Sequence, residues 1–214
     1  AADAAIGGAL TAYKAHFKSV GRAGVARKGF AESLRERLED RAQKISVAIQ
    51  SGKLTGPDLA TAHCGRAETY AQLGRNDDAL NDANQAVKLA PNAPEMLACR
   101  GFARFKAGQF DASLADYTSA VTLGATDART FHTRGLANFY AGRMEAAAAD
   151  FARAADTNDR EAQVYADLWQ VWTSQRLNRP VPAAVAQRAA TQPRGEWPRP
   201  ALAMENAPHD HRRD

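Results

Sequence analysis

The sequence predicts an all-α fold, an α-solenoid of three helical hairpins with a packing helix before them and a capping helix after. Three observations predict it. A 34-residue period runs through the middle of the chain without insertion, and small residues recur at fixed columns within it. The composition agrees: alanine is abundant, aromatic residues are only 7%, and β-branched runs are missing, a balance that favours close-packed helices over sheets.

Residues 1–32 form a basic arm. Leu10, Tyr13, Phe17 and Val20 suggest an early helix within it, followed by Gly21-Arg22-Ala23-Gly24, and Lys14 to Lys28 holds five basic residues and no acidic one. Such a run reads first as a solvated arm and second as a contact for anionic lipid. Its glycines do not make a phosphate loop, because Lys28 precedes Gly29 and no Lys-Ser/Thr pair follows. Residues 33–56 read as an amphipathic packing helix and linker, with Leu34, Leu38, Ala42, Ile45 and Ile49 on one stripe and Gly52, then Gly56-Pro57-Asp58, ending it.

The periodic region spans residues 57–161, with units at 60–93, 94–127 and 128–161. Its columns are Gly74/Gly108/Gly142, Ala67/Gly101/Gly135, Ala79/Ser113/Ala147, Ala86/Ala120/Ala154, Arg66/Arg100/Arg134 and Asp82/Asp116/Asp150. Each unit reads as two helices and a tight turn. In the first, Ala60–Leu73 is a helix, Gly74 supplies the left-handed C-terminal residue, and Asn76–Leu89 is the second helix. Asp77, Asp111 and Glu145 fall in the first turn of each second helix, where the helix dipole favours negative charge. The small columns let the two backbones approach, while Leu80/Leu114 and Ala83/Tyr117/Phe151 fill the space left. The arginine and aspartate columns predict a ladder of ion pairs from first helices to second helices, within or across units.

Period, small columns and Pro91 closing the first unit make residues 60–161 resemble the tetratricopeptide repeat family. Residues 162–177 then resemble its terminal solvating helix, with Tyr165, Leu168, Trp169 and Trp172 as an aromatic stripe that reads first as a cap over the third unit and second as a partner-binding patch. Residues 178–214 read as a proline-bearing tail, polar after Pro198 and ending near His209-Asp210-His211. Three columns depart from the family pattern: His63 stands at the large apolar position, Arg104 and Asn138 replace the tyrosine kept at Tyr70, and Ala125 and Asp159 replace the closing proline. The departures predict looser packing at those points.

The resemblance implies a protein- or peptide-binding scaffold whose groove lies on one face of the first helices. Carried over residue by residue, that groove comprises Thr61, Cys64, Glu68 and Gln72, then Glu95, Ala98, Phe102, Phe105 and Lys106, then Arg129, His132, Leu136, Phe139 and Tyr140. Phe105 and Phe139 have a second reading as packing between neighbouring helices. Aromatics beside Lys106, Arg129 and His132 suit a peptide with an apolar anchor and an acidic group. Self-association into a homodimer is a competing use of the same surface.

The chemistry-bearing motifs are missing. There is no nucleophile elbow, metal-ligand cluster or glycine-rich phosphate loop, so neither a catalytic site nor a cofactor is expected. Residues 1–56 carry 10 basic and 5 acidic groups, residues 57–162 carry 11 and 14, and residues 163–214 carry 7 and 5. The basic excess thus lies in the arms, which argues against a folded nucleic-acid surface. No stretch approaches the roughly 20 apolar residues that span a bilayer. Cys64 and Cys99 read as packed small hydrophobes of neighbouring first helices. The small residues of Ala1-Ala2-Asp3 fit a mature end left by signal cleavage, or a trimmed chain, and lean to an exported protein. Ile49-Gln50-Ser51-Gly52-Lys53-Leu54 with Asp58-Leu59-Ala60 resembles the lead-in of many bacterial, often exported, tetratricopeptide proteins, and the stretch from Tyr165 through Trp197-Pro198 resembles the C-terminal segment of some bacterial periplasmic tetratricopeptide lipoproteins. These resemblances imply a bacterial periplasmic or exported protein over a cytoplasmic one.

Overall fold

The computed structural model describes residues 24–191, and every regular element among them is a helix. In chain order these are α1 (Gly24–Gln50), α2 (Gly56–Gln72), α3 (Asn76–Leu89), α4 (Pro94–Lys106), α5 (Phe110–Thr122), α6 (Ala128–Tyr140), α7 (Met144–Ala154), α8 (Arg160–Arg176) and α9 (Ala183–Thr191). The readings made on residues 1–23, on Trp197-Pro198 and on the His209-Asp210-His211 triplet lie outside the described residues. Among the described residues no helix is long and apolar enough to cross a membrane.

Helices α2–α3, α4–α5 and α6–α7 are the three hairpins the period predicts. Each turns on its column glycine, at φ +75° for Gly74 and Gly108 and +77° for Gly142. That left-handed backbone lets the next amide reach back to the first helix: Arg75 N to Tyr70 O at 2.9 Å, Gln109 N to Arg104 O at 2.9 Å, Arg143 N to Asn138 O at 2.8 Å.

The ladder lies within each unit, not across units. Arg66 donates to Asp82 at 2.6 and 2.8 Å, Arg100 to Asp116 at 2.9 and 2.7 Å, and Arg134 to Asp150 at 2.9 and 2.5 Å, each pair 16 residues apart. These are two-point guanidinium–carboxylate contacts around nearly enclosed carboxylates, so they fix the angle at which the two helices of a hairpin meet.

At three of the departures from the family pattern the structure shows added hydrogen bonds where looser packing is expected. His63 Nδ1 lies 2.9 Å from Asp82 Oδ1, Arg104 Nη1 donates to Asp116 Oδ2 at 2.8 Å, and Asn138 Nδ2 donates to Asp150 Oδ2 at 2.9 Å. The replaced apolar groups are exchanged for further donors on the same carboxylates, which still have lone pairs to accept them.

The columns also compensate one another in volume. A Cβ built on Gly101 would meet the Tyr117 ring at 2.9 Å, and one on Gly135 would meet the Phe151 ring at 2.7 Å. Where the second helix offers only Ala83, the first helix affords Ala67, and both are fully buried in one apolar cluster. The rings of α5 and α7 therefore pass beneath a bare stretch of backbone.

Two boundaries move. Helix α1 begins at Gly24, not Ser33, so the end of the basic segment is helical. Gly29 costs only about 1 kcal/mol inside a helix and does not end one flanked by good helix formers. Of its predicted stripe, Ala42 is buried and Leu38, Ile45 and Ile49 are half-buried toward α2, while Leu34 remains 41% exposed.

The second shift is at the other end, where the segment from residue 178 expected as tail contains α9. Asn178, at φ +52°, repeats the glycine turn, with Arg179 N to Ser174 O at 2.9 Å, and α9 returns to touch α8 far more lightly than the two helices of a hairpin touch each other. The ion pair between them is reversed: Asp167 sits on α8 and receives Arg188 from α9 at 2.8 and 2.5 Å. Asn178 follows Gly142 by 36 residues, so a strict 34-residue shift misses it.

Cys64 and Cys99, expected as separate small hydrophobes, form a disulfide between α2 and α4, with Cα atoms 5.9 Å apart. Residues of one column face the same way on successive first helices. The one-residue offset of Cys99 rotates it by about 100° and turns it back toward Cys64. Reduction is expected to cost about 3–4 kcal/mol from the freed loop. Urea unfolding with and without reductant measures this, and coincident curves would contradict a structural role for the bond.

Candidate functional site

First helices pack on first helices along the stack: α2 against α4, α4 against α6, and α6 against α8. The second helices pack within their own hairpins and against the next first helix. A stack held this way curves with its first helices along the inner wall.

On that wall, Glu68, Gln72, Phe102 and Arg129 line one cavity of about 220 Å³ together with Ala98, Tyr117, Thr130 and Thr133. The cavity draws on all three periodic hairpins. It is smaller than the usual 300–1,000 Å³ of a small-molecule site and suits a single inserted side chain. Arg129 Nη1 donates to Glu68 Oε1 at 2.8 Å, joining the third hairpin to the first across 61 residues.

Tyr117, Thr130 and Thr133 are the lining residues that the sequence reading missed. Tyr117 belongs to α5, a second helix, yet its ring reaches the inner wall because Gly101 has no side chain to block it. Burial pushes its phenol well above the ordinary value, and its hydroxyl pairs with Thr133. The signal available in the sequence was the Gly101/Tyr117 pair, one bare and one bulky position 16 residues apart. Thr130 is held by the helix start: Asp127 caps α6, accepting from Thr130 N at 3.0 Å and Thr130 Oγ1 at 2.6 Å.

The remaining predicted groove residues divide into two groups. Phe105, Phe139 and Tyr140 join Phe110, Trp169 and Trp172 in a continuous half-buried aromatic cluster. Phe105 contacts the Phe110 and Tyr140 rings at 5.9 Å, and Phe139 contacts Trp169 at 5.1 Å, so both pack between neighbouring hairpins. Glu95 is exposed in the first turn of α4, and Lys106 and Leu136 are half-buried.

His132 tilts against the Phe151 ring at 5.7 Å, and burial pushes its pKa down to about 4, so the imidazole is neutral near pH 7. With His132 neutral and Arg129 already paired, two of the three cations expected to meet an acidic guest are not available for it.

Among the described residues no group of His, Cys, Asp and Glu side chains is disposed to hold a metal. A second hollow, of about 660 Å³, lies at the far end between α9 and the α7–α8 turn, lined by Asp156, Asn158, Gln163, Gln170 and Arg188 among others. It is shared with none of the predicted groove residues.

Comparison with known proteins bears on fold. The family model described as Tetratricopeptide repeat matches residues 60–93. No curated protein matches the chain. Among solved structures, the MamA fragment 41-end from Desulfovibrio magneticus is 18% identical, with 76% of this chain and 90% of that one covered at a TM-score of 0.56. A thermophilic TPR protein of Thermus thermophilus is 17% identical, covering 77% and 95% at 0.53. The first TPR of Spaghetti (RPAP3), bound to the HSP90 peptide SRMEEVD, is 23% identical, covering 58% and 97% at 0.50. At these identities the likeness is one of fold.

Proposed function

We propose that this chain, a tetratricopeptide-repeat protein by its repeats and its fold, is a non-enzymatic scaffold that holds a protein or peptide on the inner wall of α2, α4 and α6. The observation that carries the reading is the cavity there, which three hairpins build and whose lining takes no residue from α1, α8 or α9. Phe102 is half-buried at its side and packed against two apolar clusters, a rigid surface for an apolar anchor. The RPAP3 domain, similar in fold, is bound to a peptide, which supports a peptide as the guest class.

The test is selection of binders from a phage-displayed random octapeptide library on the immobilised full chain, repeated with Phe102→Glu. The wild-type chain is expected to yield binders that Phe102→Glu captures at least about tenfold less well, with far-UV circular dichroism unchanged. Equal capture by the variant would move the binding site elsewhere.

The compartment belongs to the same reading. An exported, periplasmic setting is supported by the Cys64–Cys99 disulfide, since such bonds persist in oxidising compartments and are rare in reducing ones. Alkylation without reductant followed by mass spectrometry, on protein from its native source, is expected to find both cysteines blocked. Two alkylated thiols would contradict it.

A further inference from the structure

We infer that the guest on this wall presents a basic side chain to Glu68, in the place that the chain's own Arg129 now fills. The inference rests on the peptide-holding reading above and names the chemistry of the guest.

The Glu68–Arg129 pair is unequal. The Glu68 side chain is 18% exposed and stands on the cavity wall, whereas the Arg129 side chain is 74% exposed. An ion pair whose cation is largely in water is a weak tether. Arg129 can swing into solvent and recover its hydration there. Glu68 is the fixed half, and with Arg129 gone it leaves a half-buried carboxylate at the mouth of the cavity.

What lies beside that carboxylate fits the rest of a lysine or arginine. Ala98 and Phe102 give apolar surface for an aliphatic stem, and Tyr117, Thr130 and Thr133 add hydroxyl groups. The volume of about 220 Å³ takes one such side chain. The surrounding charge agrees, because residues 57–162 carry 14 acidic against 11 basic groups. An acidic guest would instead meet Glu68 as a like charge and would have to displace the more enclosed partner.

The two readings of the pair predict opposite signs, and the octapeptide selection separates them with Arg129→Ala and Glu68→Gln. For a basic guest, wild-type binders are enriched in lysine and arginine. Arg129→Ala, freed of the internal competitor, binds the same peptides about two- to fivefold tighter, the weight of one exposed pair. Glu68→Gln binds them about tenfold more weakly.

Enrichment in aspartate and glutamate overturns the inference, as does weaker binding by Arg129→Ala or unchanged binding by Glu68→Gln. Binders without charge preference leave the scaffold reading standing and remove the basic guest. Failure to select any binder, with wild type and Arg129→Ala alike, removes both.

Discussion

Replacing Asp116 by alanine is expected to destabilise the chain by up to about 3–5 kcal/mol, because it strands two half-buried positive charges. Asp116 accepts two hydrogen bonds from Arg100 and one from Arg104, and its side chain is 5% exposed. Without it, two guanidinium groups between α4 and α5 lose their counter-charge at once. The comparison is Asp78→Ala, which breaks an Arg75 pair exposed at 52% and 46% and should cost no more than about 1 kcal/mol. Urea unfolding monitored by circular dichroism measures both. An Asp116→Ala cost as small as that of Asp78→Ala would show that the ladder is decoration. Replacing the whole cluster by apolar residues should cost less than removing Asp116 alone, because no charge is then left unpaired.

The second large effect concerns volume. Phe151 is fully buried beneath the bare backbone of Gly135, so Phe151→Ala should cost about 3–5 kcal/mol through the cavity it leaves. Gly135→Ala should cost about 1–3 kcal/mol for the opposite reason, since the new methyl would lie 2.7 Å from the ring. The double variant is expected to cost clearly less than the sum, because the methyl enters space that the ring has vacated. Its geometry approaches the Ala67/Ala83 pair that the first hairpin already uses. Additive costs, measured as a double-mutant cycle in urea, would mean that the two positions do not share this space.

These two predictions use the part of the fold that is legible in the sequence. The period places Gly74, Gly108 and Gly142 at turns and aligns each arginine with an aspartate 16 residues on, because a hairpin repeats its geometry when it repeats its residues. Features that break the period were not legible. The α8–α9 connection keeps the turn but uses Asn178 two residues late, and the ion pair between these helices runs from Asp167 to Arg188, the reverse of the column order. The disulfide depends on a one-residue offset whose meaning appears only once α2 and α4 lie side by side.

For the site, the sequence places Glu68, Gln72, Phe102 and Arg129 on one wall, and the structure gathers those four around one cavity. It did not indicate that Glu68 and Arg129 would pair with each other. They are 61 residues apart on the first and third hairpins, and the reach between them is set by the curvature of the stack, not by any local pattern. His132 is misjudged for a related reason: a histidine in a first helix reads as a cation until its burial against Phe151 is known.

The most direct measurement is an amide chemical-shift map of the isotopically labelled chain titrated with a selected octapeptide. A free inner wall predicts the largest shifts along α2, α4 and α6 around Glu68, Phe102 and Thr133, with α3, α5 and α7 little changed apart from Tyr117. Shifts concentrated on the outer helices, or at the α9 end of the stack, would contradict it.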